Sequence, residues 1–182
     1  MSRVGIYGGT FDPIHLGHLH VITQLIEKNI VDQLLIVPAG EPLLRASAPT
    51  ATAQQRRAMC QLALSDLKPE IAAKVQVNPI EVLRMGPSYA IDTVEAVRQN
   101  FPQDTIVLVI GQDAADKLDQ WHRIDELRTM VEFVVIGRPG YQGTGIDIGA
   151  LDVAATTIRE GLSADVSSSV ATFIRENNLY DN

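Results

Sequence analysis

The sequence predicts an α/β fold: a doubly wound, Rossmann-like parallel sheet with helices on both faces, formed by residues 1–182 as one domain. Three observations predict it. Short aliphatic and β-branched runs alternate along the chain with longer stretches of helical periodicity. The segments 34–37 and 105–110 are apolar almost throughout rather than at every second residue, as strands covered on both faces are. No internal repeat or linker divides the 182 residues, a length that a single core can fill.

Taken in order, 4–7 is a compact strand, and 16–28 repeats apolar residues at helical spacing through Leu19, Ile22 and Ile26. A second strand at 34–37 ends at Pro38, which has no N–H to continue a ladder. A helix is expected over 53–64, a short strand over 74–78, and a helix over 89–99 carrying Ile91, Val94 and Val97. The runs 105–110 and 133–136 complete the strands. Parallel neighbours joined through helices imply right-handed crossovers. Ligands of such sheets bind beyond the carboxyl ends of the strands, so the segments after Tyr7, Val37, Asn78, Ile110 and Ile136 are where function is expected. Two stretches fit neither pattern: 39–52 is rich in Ala, Pro, Ser and Thr, and 139–149 carries four glycines. At those lengths they read as lids, insertions or poorly ordered segments.

Composition narrows the function classes. Net charge is −7, which argues against a nucleic-acid surface, because phosphate-backbone binding wants a basic face. A few arginines in one cleft still suffice for a small anion. Cys60 is the single cysteine, so no intrachain disulfide forms and a reducing compartment is expected. No apolar run reaches the ~20 residues that span a bilayer, and the first residues lead directly into a strand without a signal-peptide pattern. A cytoplasmic protein with no membrane partner is the expectation. Oligomeric state is left open.

The most informative segment is Gly8-Gly9-Thr10-Phe11-Asp12-Pro13-Ile14-His15-Leu16-Gly17-His18. Gly8 and Gly9 allow a sharp turn and the approach of an anion to backbone N–H groups. The helix that follows aims its N-terminal amides at the same place. His15 and His18, three apart, project on one side of that helix. Gly17 inside the helix costs ~1 kcal/mol against alanine, which implies that something packs on the backbone there. Each feature alone has an ordinary explanation, since paired glycines are commonly a plain turn. A metal pair is another reading of the histidines, but no third ligand with zinc-like spacing accompanies them. The dinucleotide fingerprint and the Walker lysine pattern are both absent. The conjunction points to a nucleotide-phosphate site.

The same segment resembles the HxGH signature of the nucleotidyltransferase superfamily, and in its longer form that of bacterial nicotinate-nucleotide adenylyltransferases. Gly86-Pro87-Ser88-Tyr89-Ala90-Ile91-Asp92-Thr93, Gly111-Gln112-Asp113-Ala114 with Trp121, Arg138-Pro139-Gly140 and Leu179-Tyr180 are similar to further motifs of that family, in its order. The resemblance implies transfer of an adenylyl group from ATP to nicotinate mononucleotide, by in-line attack and without a covalent intermediate. It places His15, His18 and Arg159 in catalysis. ATP would meet Gly8, Gly9, Thr10, Phe11, Arg45, Gly111, Asp113 and Thr156. The mononucleotide would meet Ser88 and Tyr89, with Trp121 stacked on its pyridine ring. Mg²⁺ would accompany ATP, and no protein metal site is implied. For Asp113 a helix N-cap is the ordinary alternative. Arg56 and Arg57 read as solvated helix charges, and His20 and His122 carry no signal of their own.

Three departures bear on rate and preference. The family's ISSTxIR signature stands here as Val153-Ala154-Ala155-Thr156-Thr157-Ile158-Arg159, with alanine at both serine positions. Serine can cap a helix and alanine cannot; Thr156 or Thr157 is the expected cap in its place, and Thr157 with Glu160 has the spacing of a capping box. Arg45 replaces a histidine or lysine, and Ala90 replaces a threonine beside the pyridine pocket. Neighbouring readings are a nicotinamide-mononucleotide or phosphopantetheine adenylyltransferase, or a nucleotide-binding module whose activity has weakened.

Overall fold

The strands form because their side chains are buried on both sides, and they pair in parallel. A computed structural model describes residues 1–42, 47–137, 139 and 145–180. In chain order the elements are β1 (Arg3–Gly9), α1 (Leu16–Glu27), β2 (Gln33–Pro38), α2 (Ala53–Ser65), α3 (Pro69–Ala72), β3 (Val75–Val77), α4 (Ile80–Leu83) and α5 (Ala90–Asn100). There follow β4 (Thr105–Gly111), α6 (Gln112–Ala115), a 3₁₀ turn at Leu118–Gln120, α7 (Ile124–Met130), β5 (Glu132–Ile136), α8 (Ala155–Arg159) and α9 (Ser168–Glu176). The sheet order is β3-β2-β1-β4-β5, and every pairing is parallel.

Alternate residues of each central strand enter two separate cores. Leu34, Ile36, Val107 and Val109 join the core that also holds Ile22 and Leu25 of α1, Met59 of α2 and Val170 of α9. Leu35, Val37, Ile106, Leu108 and Ile110 join the core that holds Ile91, Val94 and Val97 of α5 and Leu127 of α7. Helices therefore cover both faces, as the apolar runs imply. The strand order changes direction at β1, where the chain passes outward through β2 and β3 and then returns to β4. A crevice opens at that switch, beyond the carboxyl ends of β1 and β4.

Two expectations about local structure need correction. Gly8 and Gly9 are not the turn: they remain in β1, opposite Val37 and Pro38. The chain turns at the next residues, where Phe11 takes a left-handed φ of 50° and the Asp12–Pro13 bond is cis. Gly9 has a steric reason instead, since a Cβ there would lie 2.9 Å from the Phe11 ring. The second correction concerns α8. Its N-cap is Ala154, with no side-chain cap, and Thr157 Oγ1 donates back to the Ala154 carbonyl at 2.7 Å. The Thr157–Glu160 capping box does not form, because Glu160 is the C-cap.

Candidate active site

The turn after β1 seats two imidazoles on the first turn of α1. His15 is the N-cap, with extended backbone, and its N–H donates to His18 Nδ1 at 3.2 Å. Because Nδ1 accepts, the neutral His18 ring carries its proton on Nε2. The two rings stack at 3.7 Å, 24° from parallel, and Phe11 meets His18 edge-on at 5.0 Å. Gly17 is what makes room: a Cβ there would lie 3.1 Å from the His15 ring. Burial pushes His15 down to about 4, against the opposing pull of Asp165. Burial, and then the neighbouring His15, hold His18 well below the usual imidazole range. With no anion present both rings are neutral near pH 7.

Both histidines line a cleft of about 680 Å³ whose far wall includes Gly111, Asp113, Ala154 and Ala155. Gly111 itself is the N-cap of α6, so Asp113 is not; it stands in the first turn of that helix. A second cleft of about 490 Å³ lies on the other side of β1, lined by Gly9, Thr10, Ser88, Tyr89 and Trp121. A smaller cavity of about 200 Å³ is lined by Gly111 and Ala114 of the first cleft and by Gly9, Ser88 and Trp121 of the second, so the two clefts adjoin across the ends of β1 and β4. Ser88 accepts from the Gly40 N–H at 3.2 Å, Tyr89 lies against His122 with ring centres 4.4 Å apart, and Trp121 Nε1 is buried with no hydrogen-bond partner. Glu81 borders this cleft too, hydrogen-bonded by Thr93 at 2.7 Å, and burial raises its carboxyl above the usual range.

Arg159 and Thr156 border neither cleft wall directly. Arg159 is the last residue of α8. Its Nη1 donates to the Asp12 carbonyl at 2.7 Å, and its Nη2 to Thr156 Oγ1 at 3.1 Å. The turn that carries the histidines therefore also holds this guanidinium. Arg45 and Arg138 lie outside the described residues.

Several residues at this centre carry no role in the sequence reading. Asp12, only 1% exposed, accepts from the N–H groups of Thr50 and Ala51 at 2.9 and 3.0 Å and from the Tyr180 hydroxyl at 2.8 Å. This fixes the last part of 39–52 to the site turn. Arg56 is not a solvated charge. It is 1% exposed and donates to the carbonyls of Thr10, Gly40 and Ala51, tying the exits of β1 and β2 to the start of α2. Its position was readable, since Arg56 falls in helical register with the buried Met59, Cys60 and Ala63. For His122 the sequence offered no signal. Among the described residues no group of three or more His, Cys, Asp or Glu is placed to hold a metal ion. Nor, among them, is any helix long and apolar enough to cross a membrane.

A parallel sheet with paired histidines at the first helix, between two adjoining clefts, defines a nucleotide-binding α/β protein. The chain belongs to the cytidylyltransferase-like family, whose model matches residues 6–173, and within it to the nicotinate-nucleotide adenylyltransferases. It is 34% identical to a relative named for that activity in Oceanobacillus iheyensis, over 99% of this chain and 97% of that one. It is 32% identical to another in Bacillus pumilus and 29% to the nicotinate-nucleotide adenylyltransferase of Bacillus subtilis, each over the full length of both chains. Among solved structures its fold matches Plasmodium falciparum nicotinic acid mononucleotide adenylyltransferase complexed with NaAD, at a TM-score of 0.82 and 19% identity, covering 100% of this chain and 98% of that one.

Proposed function

We propose that this protein transfers the adenylyl group of ATP to nicotinate mononucleotide, giving deamido-NAD and pyrophosphate. The observation that carries the reading is the pair of adjoining clefts, one holding stacked His15 and His18 and the other holding Trp121, Tyr89 and Ser88. The relatives named for the same reaction support it over the full length of the chain.

The attacking phosphate monoester is already anionic at neutral pH, with a second pKa of ~6, so no general base is required. The work of the site is to bring two anions together, hold them in line and absorb charge on the leaving pyrophosphate. ATP phosphates entering the first cleft favour the charged form of His15 and His18 and raise their pKa values from the depressed state of the empty site. The backbone groups of Gly8, Gly9, Thr10 and Phe11 would stand beside the ATP phosphates. Gly111 and Asp113 receive the adenylate ribose. Thr156 and Arg159, outside the cleft wall but tied to the histidine turn through the Asp12 carbonyl, would approach the outer phosphates from beside it, with Arg45 as a further cation. Trp121 stacks on the pyridine ring, and Ser88 and Tyr89 face its carboxylate. ATP would enter as its Mg²⁺ complex, the ion neutralising charge on the leaving pyrophosphate.

One observation favours a second acceptor. Glu81 and Ala90 border the pyridine cleft, and Glu81 in its ionised form would accept from a carboxamide N–H and repel a carboxylate. Pyrophosphate release from ATP is therefore measured with nicotinate mononucleotide, nicotinamide mononucleotide and phosphopantetheine in turn. Highest kcat/KM with nicotinate mononucleotide is expected. Preference for either other acceptor replaces the substrate assignment, and ATP binding without turnover on any acceptor replaces the enzyme with a binding module.

A further inference from the structure

Tyr180 sits on the turn after α9, far in sequence from the histidine turn, yet its hydroxyl donates to Asp12 Oδ1 at 2.8 Å. Asn178 and Tyr180 both take left-handed φ values, 48° and 64°, which bend the chain back toward the site. Between them Leu179 is buried in the core that also contains Phe11 and Ile14. The bond therefore lands on the turn that positions the nucleotide-binding histidines.

We propose that Tyr180 is a positioning residue of the phosphate site, acting through Asp12 on Arg159. The side chain of Asp12 is sealed from solvent. Its carboxyl accepts from Thr50, Ala51 and Tyr180, while its own carbonyl accepts Arg159 Nη1 at 2.7 Å. The same Nη1 stands 4.0 Å from the carboxyl oxygen Oδ2. A buried carboxyl that loses a donor has no water to replace it, and it turns toward the nearest cation. Among the described residues the cation within ion-pair reach of that carboxyl is Arg159. Without the phenol, the carboxyl competes with the Asp12 carbonyl, and with any bound phosphate, for the guanidinium. With the phenol in place, Arg159 is anchored on the carbonyl and on Thr156 and keeps one orientation. The tyrosine hydroxyl is suited to this, because burial and its bond to Asp12 push its ionisation far above the physiological range.

The functional consequence rests on the adenylyl-transfer reading, and the test separates the two. Tyr180→Phe keeps the ring and removes only the donor. The dissociation constant for ATP is expected to rise about tenfold, the effect of one hydrogen bond to a charged group. KM for nicotinate mononucleotide should stay unchanged, which a general loss of structure would not allow. Added to Arg159→Ala, the tyrosine substitution should weaken ATP binding no further, since its effect passes through that arginine. Losses that multiply in the double variant, or wild-type ATP affinity in Tyr180→Phe, overturn the proposal. If the unaltered protein binds no ATP, the adenylyl-transfer reading fails by itself. The clasp is then judged by urea unfolding of the same three variants, where additive shifts in midpoint overturn it and non-additive shifts uphold it.

Discussion

Stacking two imidazoles 3.7 Å apart in a buried turn is costly if either is charged, and this sets the acid behaviour of the free protein. His15 falls to about 4, chiefly by burial, and His18 lies well below the usual range for the same reason and because of His15. The unfolded chain protonates its histidines near 6.5, so between pH 6.5 and 4 it binds more protons than the folded chain does. Folded-state stability is therefore present above pH 6.5 and is lost as pH falls through that window. For His15 alone the loss from pH 7 to pH 5 is about 2 kcal/mol. Urea unfolding of the ligand-free protein at those two values should show it, and His15→Gln should reduce the difference. A midpoint that does not fall at pH 5 means that the rings are not held neutral. At this scale the sequence exposed the histidine pair, left Asp12 unassigned and misread Arg56 as a solvated charge. Histidine at a helix start announces chemistry by its type, whereas the burial of Arg56 shows only in its helical register with Met59, Cys60 and Ala63, and its three carbonyl partners not at all.

Helix α1 shows how an element serves a site at its own expense. Gly17 weakens the helix by ~1 kcal/mol relative to alanine, and its bare backbone receives the His15 ring. Gly17→Ala would place a methyl group 3.1 Å from that ring, with Val153 at 3.4 Å on the same side. The expected result is a kcat/KM for ATP at least tenfold lower while the melting temperature stays near wild type, measured by steady-state kinetics and thermal unfolding of one preparation. Wild-type kinetics would mean that the ring has room to move and that its placement is not set by Gly17. That glycine was legible because a helix interior rarely tolerates one without cause. Helix α8 was less so: with alanine at its N-cap and threonine bonding backward, its start and the place of Arg159 followed from tertiary packing and not from a local code. The short helices α3, α4 and α6, four residues each, show no periodicity that a sequence window could detect.

Across the whole molecule, the parallel sheet places two clefts on either side of one strand end. Their positions follow from the strand order β3-β2-β1-β4-β5, which reverses at β1. This much was legible, because runs such as β4, with five consecutive buried residues, fit only a sheet covered on both faces. The meeting of Ser88 and Trp121 in one cleft was legible only through the family resemblance, since they belong to different loops and no spacing relates them. The arrangement makes a specific claim about the reaction. Adjoining clefts let the two substrates react directly, so ATP has no reason to be cleaved before the acceptor arrives. Pyrophosphate release from ATP, with and without nicotinate mononucleotide, tests this most directly. With the acceptor, one pyrophosphate should appear for each deamido-NAD; with ATP alone, none should appear and the protein should take up no adenylyl group. A burst of pyrophosphate from ATP alone, matched by labelled protein, would contradict direct transfer between the two clefts.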